Sequence, residues 1–468
     1  MATNSKSQEK HIEGDLIMTN RMKKTTTYII GALLVFAIVL TMAFALVPNN
    51  APTAYAETVK RLKEDIADWY SGSVTLSDGD VLTGNYDGGA SSNLIYLRVP
   101  NGATITLRSV NWTYSTTRTS PNISCDGDAT IILEGNNTRQ QNKEFPAISV
   151  RQGYTLTFKG EGSLTINPNG TTVDVYAPFI GAPYDGYTNA GNIVFESGTF
   201  NLNNPGAKTS TAIGGCVYDD MTFTCGNITI CKDAVVKATS GGKKYKAIDN
   251  CGTITINDYV FPAQASPFEF PFSAETIESY INAIPATVTY TASCKSAIDT
   301  ARTYYDCTTE AEQANVTNYD KLVAAELNYA IAAINAIPNP VVYTAACKTK
   351  IDGARSAYDQ LSDENKESFD SAAYNKLTAA EATYATLKEQ VDDTISEINA
   401  IGEVAYTAES KGKIDAAREV YNALTNEQKA AVTNYATLTA AEARYAQFVA
   451  AADVDEKIDA IGTVDLTA

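Results

Sequence analysis

The chain of 468 residues has a single histidine, His11, close to its N-terminus. The remainder has no imidazole. It therefore lacks the usual general base for a serine or cysteine nucleophile and any histidine ligand for zinc. Carboxylate-pair glycosidase chemistry and arginine-based lyase chemistry survive this exclusion. Positive charge is also scarce. Lys and Arg number 36 against 54 Asp and Glu, a formal net charge of -18. Such a surface repels phosphate backbones and has no electrostatic hold on an anionic membrane, so nucleic acid is not an expected partner. The eight cysteines are Cys125, Cys216, Cys225, Cys231, Cys251, Cys294, Cys307 and Cys347, with no CxxC pair and no zinc spacing.

Long apolar runs are absent except for one. Lys23-Lys24 precede an uncharged stretch from Thr25 to Val47, and Ala54-Tyr55-Ala56 follows a short polar segment. Basic start, apolar middle and small-x-small end are the three parts of a Sec-type secretory signal, which predicts cleavage after Ala56 and an extracellular or cell-surface protein. The apolar run is long enough to span a bilayer, so an uncleaved anchor is the rival reading. In either case this segment is the expected membrane contact. Residues 1–56 thus form an N-terminal extension and signal, and 57–72 a short lead-in helix around Val59 to Trp69.

From 73 to 261 the composition turns to Thr, Ile, Val, Gly and Asn. Short alternating runs recur around Ile105, Ile131, Leu156, Ile193, Ile228 and Ile254. β-branched alternation between Gly and Asn turn signals predicts strands. Steps of 26, 25, 37, 35 and 26 residues between those positions predict stacked strands with these six side chains inward. Cys225-Gly226-Asn227-Ile228 and Cys251-Gly252-Thr253-Ile254 match position for position, which makes Cys225 and Cys251 a candidate stacked thiol pair.

The segments Ile131–Thr138, Leu156–Ile166 and Gly191–Thr199 resemble a family of secreted carbohydrate-binding domains with a right-handed, pectate-lyase-like β-helix. The resemblance implies an all-β right-handed β-solenoid that binds polysaccharide, in general without cleaving it. Sugar binding needs an aromatic face beside hydrogen-bonding groups. The candidates are Trp112 and Tyr114 in one turn, and Tyr184, Asp185 and Tyr187 in a loop. No catalytic residue is assigned. Asp219-Asp220 is an adjacent acidic pair without a supporting motif, and Asp126 and Asp128 are too few oxygen ligands for a defined calcium site. No cofactor is expected, with calcium the one metal left open.

Residues 262–275 form a Pro-rich linker, and the tail then repeats. Ile-Asn-Ala-Ile recurs at 281–284, 334–337 and 398–401, and Ile-Asp-x-Ala-Arg-x-x-Tyr surrounds Arg302, Arg355 and Arg418. Ile414, Ala417, Tyr421 and Leu424 fall at helical spacing, and Thr425–Gln428 and Thr439–Glu442 have capping-box spacing. Three tandem three-helix bundles are predicted, at 276–333, 334–397 and 398–457, each with its own core and an arginine bridging its helices. A fourth is expected to begin at 458–468. These repeats resemble FIVAR-like helical modules of Gram-positive cell-wall proteins, which implies spacers beside sugar-active domains.

The combined expectation is a multidomain chain, an all-β right-handed β-solenoid followed by all-α three-helix-bundle repeats. Its expected role is a non-catalytic, glycan-binding adhesin at the cell wall, the partner being a polysaccharide or host glycan. A polysaccharide lyase or hydrolase acting in a solenoid groove is one alternative, and a structural adhesin that contacts protein is another.

Overall fold

The computed structural model describes residues 58–62, 72–87, 95–113, 123–141, 145–168, 177–182, 188–204, 211–218, 221–240 and 246–462. Strands fill the first part, to Phe270, and helices the rest, from Ala274. Among the described residues the largest sheet has twelve strands. Its main path runs through Thr58–Arg61, Asp80–Asp87, Ala103–Thr113, Ala129–Glu134, Thr155–Lys159, Asn192–Asn204, Ile228–Ser240, Ile254–Ile256 and Tyr259–Phe261. A second sheet of seven short parallel strands, from Gly72–Thr75 to Ile248–Asp249, alternates with it along the chain.

Pairing stacks the apolar side chains in columns. Ile105 pairs with Ile131, then Phe158, Phe195, Ile230 and Ile256. Ala129 pairs with Leu156, then Ile193, Ile228 and Ile254. All six positions expected inside are at most 3% exposed. Each such burial stabilises by roughly 2 kcal/mol before the entropic cost of ordering. The register differs from the spacing argument at one step, because Ile131 pairs with Phe158 and not with Leu156.

The strands are also tied by side chains at their entries. Asp128 Oδ1 accepts the Thr155 N–H at 2.8 Å, Asn192 Oδ1 the Asn227 N–H at 2.9 Å, and Asn227 Oδ1 the Thr253 N–H at 2.9 Å. Asn192 and Asn227 reach the next strand closely. A Cβ at Gly226 would stand 2.3 Å from Asn192 Oδ1, and one at Gly252 would stand 2.4 Å from Asn227 Oδ1. Positions 226 and 252 therefore lack a side chain because an amide of the preceding strand lies against them, whereas Gly191 is crowded by the Tyr154 and Arg151 carbonyls.

The expected fold class is corrected. The first part is a set of mostly parallel sheets that does not reduce to one repeating solenoid coil. Ser163–Pro168 and Asn136–Gln141 branch off the main path, and Tyr259–Phe261 and Phe268–Phe270 join it antiparallel. Cys216–Tyr218 and Met221–Phe223 form a separate antiparallel pair. The whole is a mixed β and α protein, with the β part first as expected. Over Thr58–Arg61 the lead-in is a strand paired with Asp80–Thr83, not a helix. The Pro-rich linker is likewise built into the fold. Phe268, Phe270 and Phe272 are all at most 4% exposed, because the strand Phe268–Phe270 pairs with Val236–Ala238.

The helices are α1 (Ala274–Ala283), α2 (Ala292–Cys307), α3 (Glu310–Gln313), α4 (Tyr319–Asn335), α5 (Ala345–Asp359), α6 (Asp363–Glu367), α7 (Ser371–Ala400), α8 (Ala408–Ala423), α9 (Asn426–Ala431) and α10 (Tyr435–Ile461). Thr291, Thr344 and Thr407 cap α2, α5 and α8 by accepting the N–H groups of Cys294, Cys347 and Ser410. Thr425 and Gln428 form the expected capping box of α9. Thr439, expected in a second box, lies inside α10, and Glu442 is instead the partner of Arg418. In the described residues the long helices α4 and α7 serve two units each, so the repeats are not separate bundles. Glu326 of α4 pairs with Arg302 of α2, whereas Ile334 lies at the far end of α4 and Ile337 just past it, and Leu322, Ala325, Ile334 and Ile337 are all buried. One hydrophobic core is continuous from Leu62 in the sheets to Ala380 in α7, which corrects the expectation that every repeat owns its core. A second core holds Val391 to Ala441. Ile458 and Ile461 are 58% and 70% exposed, whereas their counterparts at 281, 284, 334, 337, 398 and 401 are at most 4% exposed.

Candidate functional site

Tyr114, Tyr184, Asp185 and Tyr187 lie outside the described residues, as do Asp219-Asp220 and the export segment 1–56. Trp112 is described, and its expected role as a sugar platform is corrected by burial. It is 2% exposed, the Arg139 guanidinium lies 4.6 Å from its ring centroid, and Tyr86 meets it edge-on at 6.2 Å. Its strand, Ala103–Thr113, is inward at odd positions through Leu107 and, past the positive-φ Ser109, at Val110 and Trp112, which turns the indole to the core. Asp126 is held by a bidentate pair with Arg98 (2.8 and 2.9 Å), and one Asp128 oxygen is used on the Thr155 N–H. No group of three or more His, Cys, Asp and Glu that could hold a metal occurs among the described residues.

A groove forms instead where the sheets meet the first helices. Two adjoining cavities make it, of about 620 and about 400 Å³, and they share Lys295, Asp299 and Tyr329. The larger is bounded by Val260, Phe261 and Pro262 of the strand Tyr259–Phe261 and its exit, by Tyr280 of α1, and by α2. Helical spacing brings Lys295, Ser296, Asp299, Thr300 and Thr303 to one side of α2, with Tyr304 beneath. The smaller cavity continues between α2, α4 and the end of α5, past Arg302, Asp306, Glu326, Gln360 and Ser362.

The floor is rigid. Tyr280 and Tyr304 stack at 3.9 Å between centroids, and the Tyr280 hydroxyl donates to the Tyr304 oxygen at 3.0 Å. Phe261 meets Tyr304 edge-on at 5.2 Å, and Phe272 lies 4.5 Å from it. Burial raises the Tyr304 phenol above its ordinary range, so it stays neutral. Two further bonds fix the junction: Thr308 Oγ1 donates to the Phe272 carbonyl (2.8 Å), and Asn257 Nδ2 to the Cys307 carbonyl (3.0 Å).

The charged groups of the groove are mutually satisfied. Lys295 Nζ donates to Asp299 at 2.5 and 2.6 Å. Arg302 donates twice to Glu326, both at 2.7 Å, and once to Asp306 at 3.3 Å. Burial raises the Asp306 carboxyl, and Arg302 opposes that shift. All three carboxylates thus have cationic partners, an arrangement unlike the protonated acid and free carboxylate of a glycosidase. What the groove offers is an aromatic wall beside hydroxyl, ammonium and carboxylate groups at fixed positions.

Sequence reasoning missed this groove and had marked Arg302 only as a bridge between helices, the role its Glu326 pair fulfils. The candidate thiol pair falls elsewhere, at the entry to the strands Ile228–Ser240 and Ile254–Ile256. No protein-family model matches the chain, and no curated protein or solved structure matches it either.

Proposed function

We propose that this chain is an exported, non-catalytic glycan-binding protein of the cell surface, with its ligand in the groove between the sheets and the first helical unit. The later helices act as a spacer toward the cell wall. The lining of the larger cavity carries this reading. Tyr280 supplies ring surface, backed by the buried Tyr304 and Tyr329, and Ser296, Thr300, Thr303, Lys295 and Asp299 supply donors and acceptors for sugar hydroxyls. The paired state of the carboxylates favours binding over hydrolysis, and the acidic net charge of -18 favours a neutral or cationic glycan over a polyanion.

The test is a glycan array run with residues 57–468 beside an assay for released reducing ends. The expected result is retention of a defined glycan, no release of reducing ends, and loss of retention in Thr300→Trp, which fills the cavity from a half-buried position on α2. Release of reducing ends would make the chain a polysaccharide-cleaving enzyme. Retention unchanged in Thr300→Trp would move the site away from the groove.

A further inference from the structure

The sheet register sets two thiols side by side at one corner of the β part. Ile228 pairs with Ile254 in parallel, and the backbone bonds continue upstream of that pair. Cys225 N–H donates to the Asn250 carbonyl (3.0 Å), and Gly252 N–H to the Gly226 carbonyl (3.0 Å), so Cys225 lies directly beside Cys251. Adjacent strands are about 4.8 Å apart, within the span of about 4.4–6.8 Å between Cα atoms that a disulfide accepts. Both cysteines are free thiols, and the Cys225 thiol donates to the Gly226 carbonyl at 3.4 Å. Cys225 is 4% exposed, and Cys251 is partly exposed.

We propose that Cys225 and Cys251 are an oxidative cross-linking site, closed by a small disulfide such as oxidised glutathione. The attacking group is Cys251, because solvent reaches it. Its thiolate bonds to one sulfur of the oxidant, the oxidant's S–S bond breaks, and one reduced thiol leaves. Cys225 then loses its proton to water and attacks Cys251 Sγ. The mixed disulfide breaks, and a second reduced thiol leaves. The protein loses two hydrogens and the oxidant gains them. The neighbouring thiol lowers the pKa of Cys251 and raises that of Cys225, whose burial acts in the same direction. This order of reactivity agrees with the order of exposure. The cross-link joins the end of the Cys216–Phe223 hairpin to the exit of the strand Ile248–Asp249, and so fixes the corner between the two sheets.

The experiment uses residues 57–468, purified reduced and then exposed to oxidised glutathione at pH 8. The intact mass is expected to fall by two hydrogens, and the thermal midpoint to rise by several degrees. Fragmentation of the tryptic peptide 209–232, which carries Cys216, Cys225 and Cys231, is expected to place the link between Cys225 and Cys251. Cys225→Ser is expected to stop at a stable glutathione adduct on Cys251. The proposal is overturned if the unsubstituted protein itself stops at that adduct, if the link uses Cys216 or Cys231, or if neither thiol reacts.

Discussion

At the scale of single residues, the Gly-Asn-Ile repeats are explained by sterics and hydrogen bonding between strands. Asn192 spends its Oδ1 on the Asn227 N–H, and this is why position 226 has no side chain. Gly226→Ala would push a methyl against that oxygen and break the bond, at an expected cost of about 1–3 kcal/mol in urea unfolding. Asn192→Ala removes the nearest obstacle and leaves backbone atoms of Gly191 and Asn192 at 3.0 Å, so the double variant should cost less than the sum of the single ones. Strict additivity would show that the amide does not lie over position 226. The repeat was visible in the sequence as a turn signal, but its cause was not, because the partners Asn192 and Asn227 are 35 positions apart. Trp112 shows the reverse failure. Its composition suggested a binding platform, yet the inward alternation of Ala103–Thr113 decides its orientation.

At the scale of elements, the helical part was the more legible. Cap residues, the apolar stripe and the Arg position are local, and their spacing translates directly into a helix face. The arginine partners were not legible, because Glu326, Glu381 and Glu442 come from the next long helix. In all three units the guanidinium makes two bonds to that carboxylate and lies between two tyrosine rings, as Arg418 does between Tyr421 and Tyr435 at 5.5 and 5.4 Å. A second repeated pair, Lys295–Asp299, Lys348–Asp352 and Lys411–Asp415, is equally regular, but it connects neighbouring turns of one helix at the surface. Recurrence does not equal energetic weight. Asp415→Asn should change stability by less than about 0.5 kcal/mol, since both groups are half exposed. Arg418→Ala should cost about 1–3 kcal/mol, because it strands Glu442 and removes the filling between the rings. Equal losses in the two variants, measured by chemical denaturation, would contradict the distinction. In the sheets, strand existence and the inward positions were legible from alternation. The two-residue slip at Ile131 was not, since both Leu156 and Phe158 are apolar and lie on the same face.

At the scale of the molecule, the candidate groove had no signature in the sequence, because its walls come from residues 260–262, 280, 292–304 and 329, which only the packed junction brings together. The same packing sets how the chain unfolds. The core from Leu62 to Ala380 joins the sheets to the first two helical units, whereas Val391 to Ala441 form a core of their own. The connection between them is helix α7 together with the Tyr343–Tyr384 ring contact at 5.1 Å. Ile351 and Ile414 occupy the same repeat position, and both are buried, at 3% and 4% exposure. Replacing either by Asp puts an unpaired carboxylate in a core, at a cost of several kcal/mol. The two losses should nevertheless spread differently. Hydrogen exchange of Ile414→Asp should show loss of protection confined to about residues 391–445, since cooperative units open with the core they share. In Ile351→Asp the loss should extend back through α4 and α2 to the groove and the last sheet strands, so glycan retention should fall with it, and Ile414→Asp should leave retention unchanged. A single cooperative loss of protection in both variants would mean that the end of α7 transmits order across the whole chain, and the two-core description would then fail.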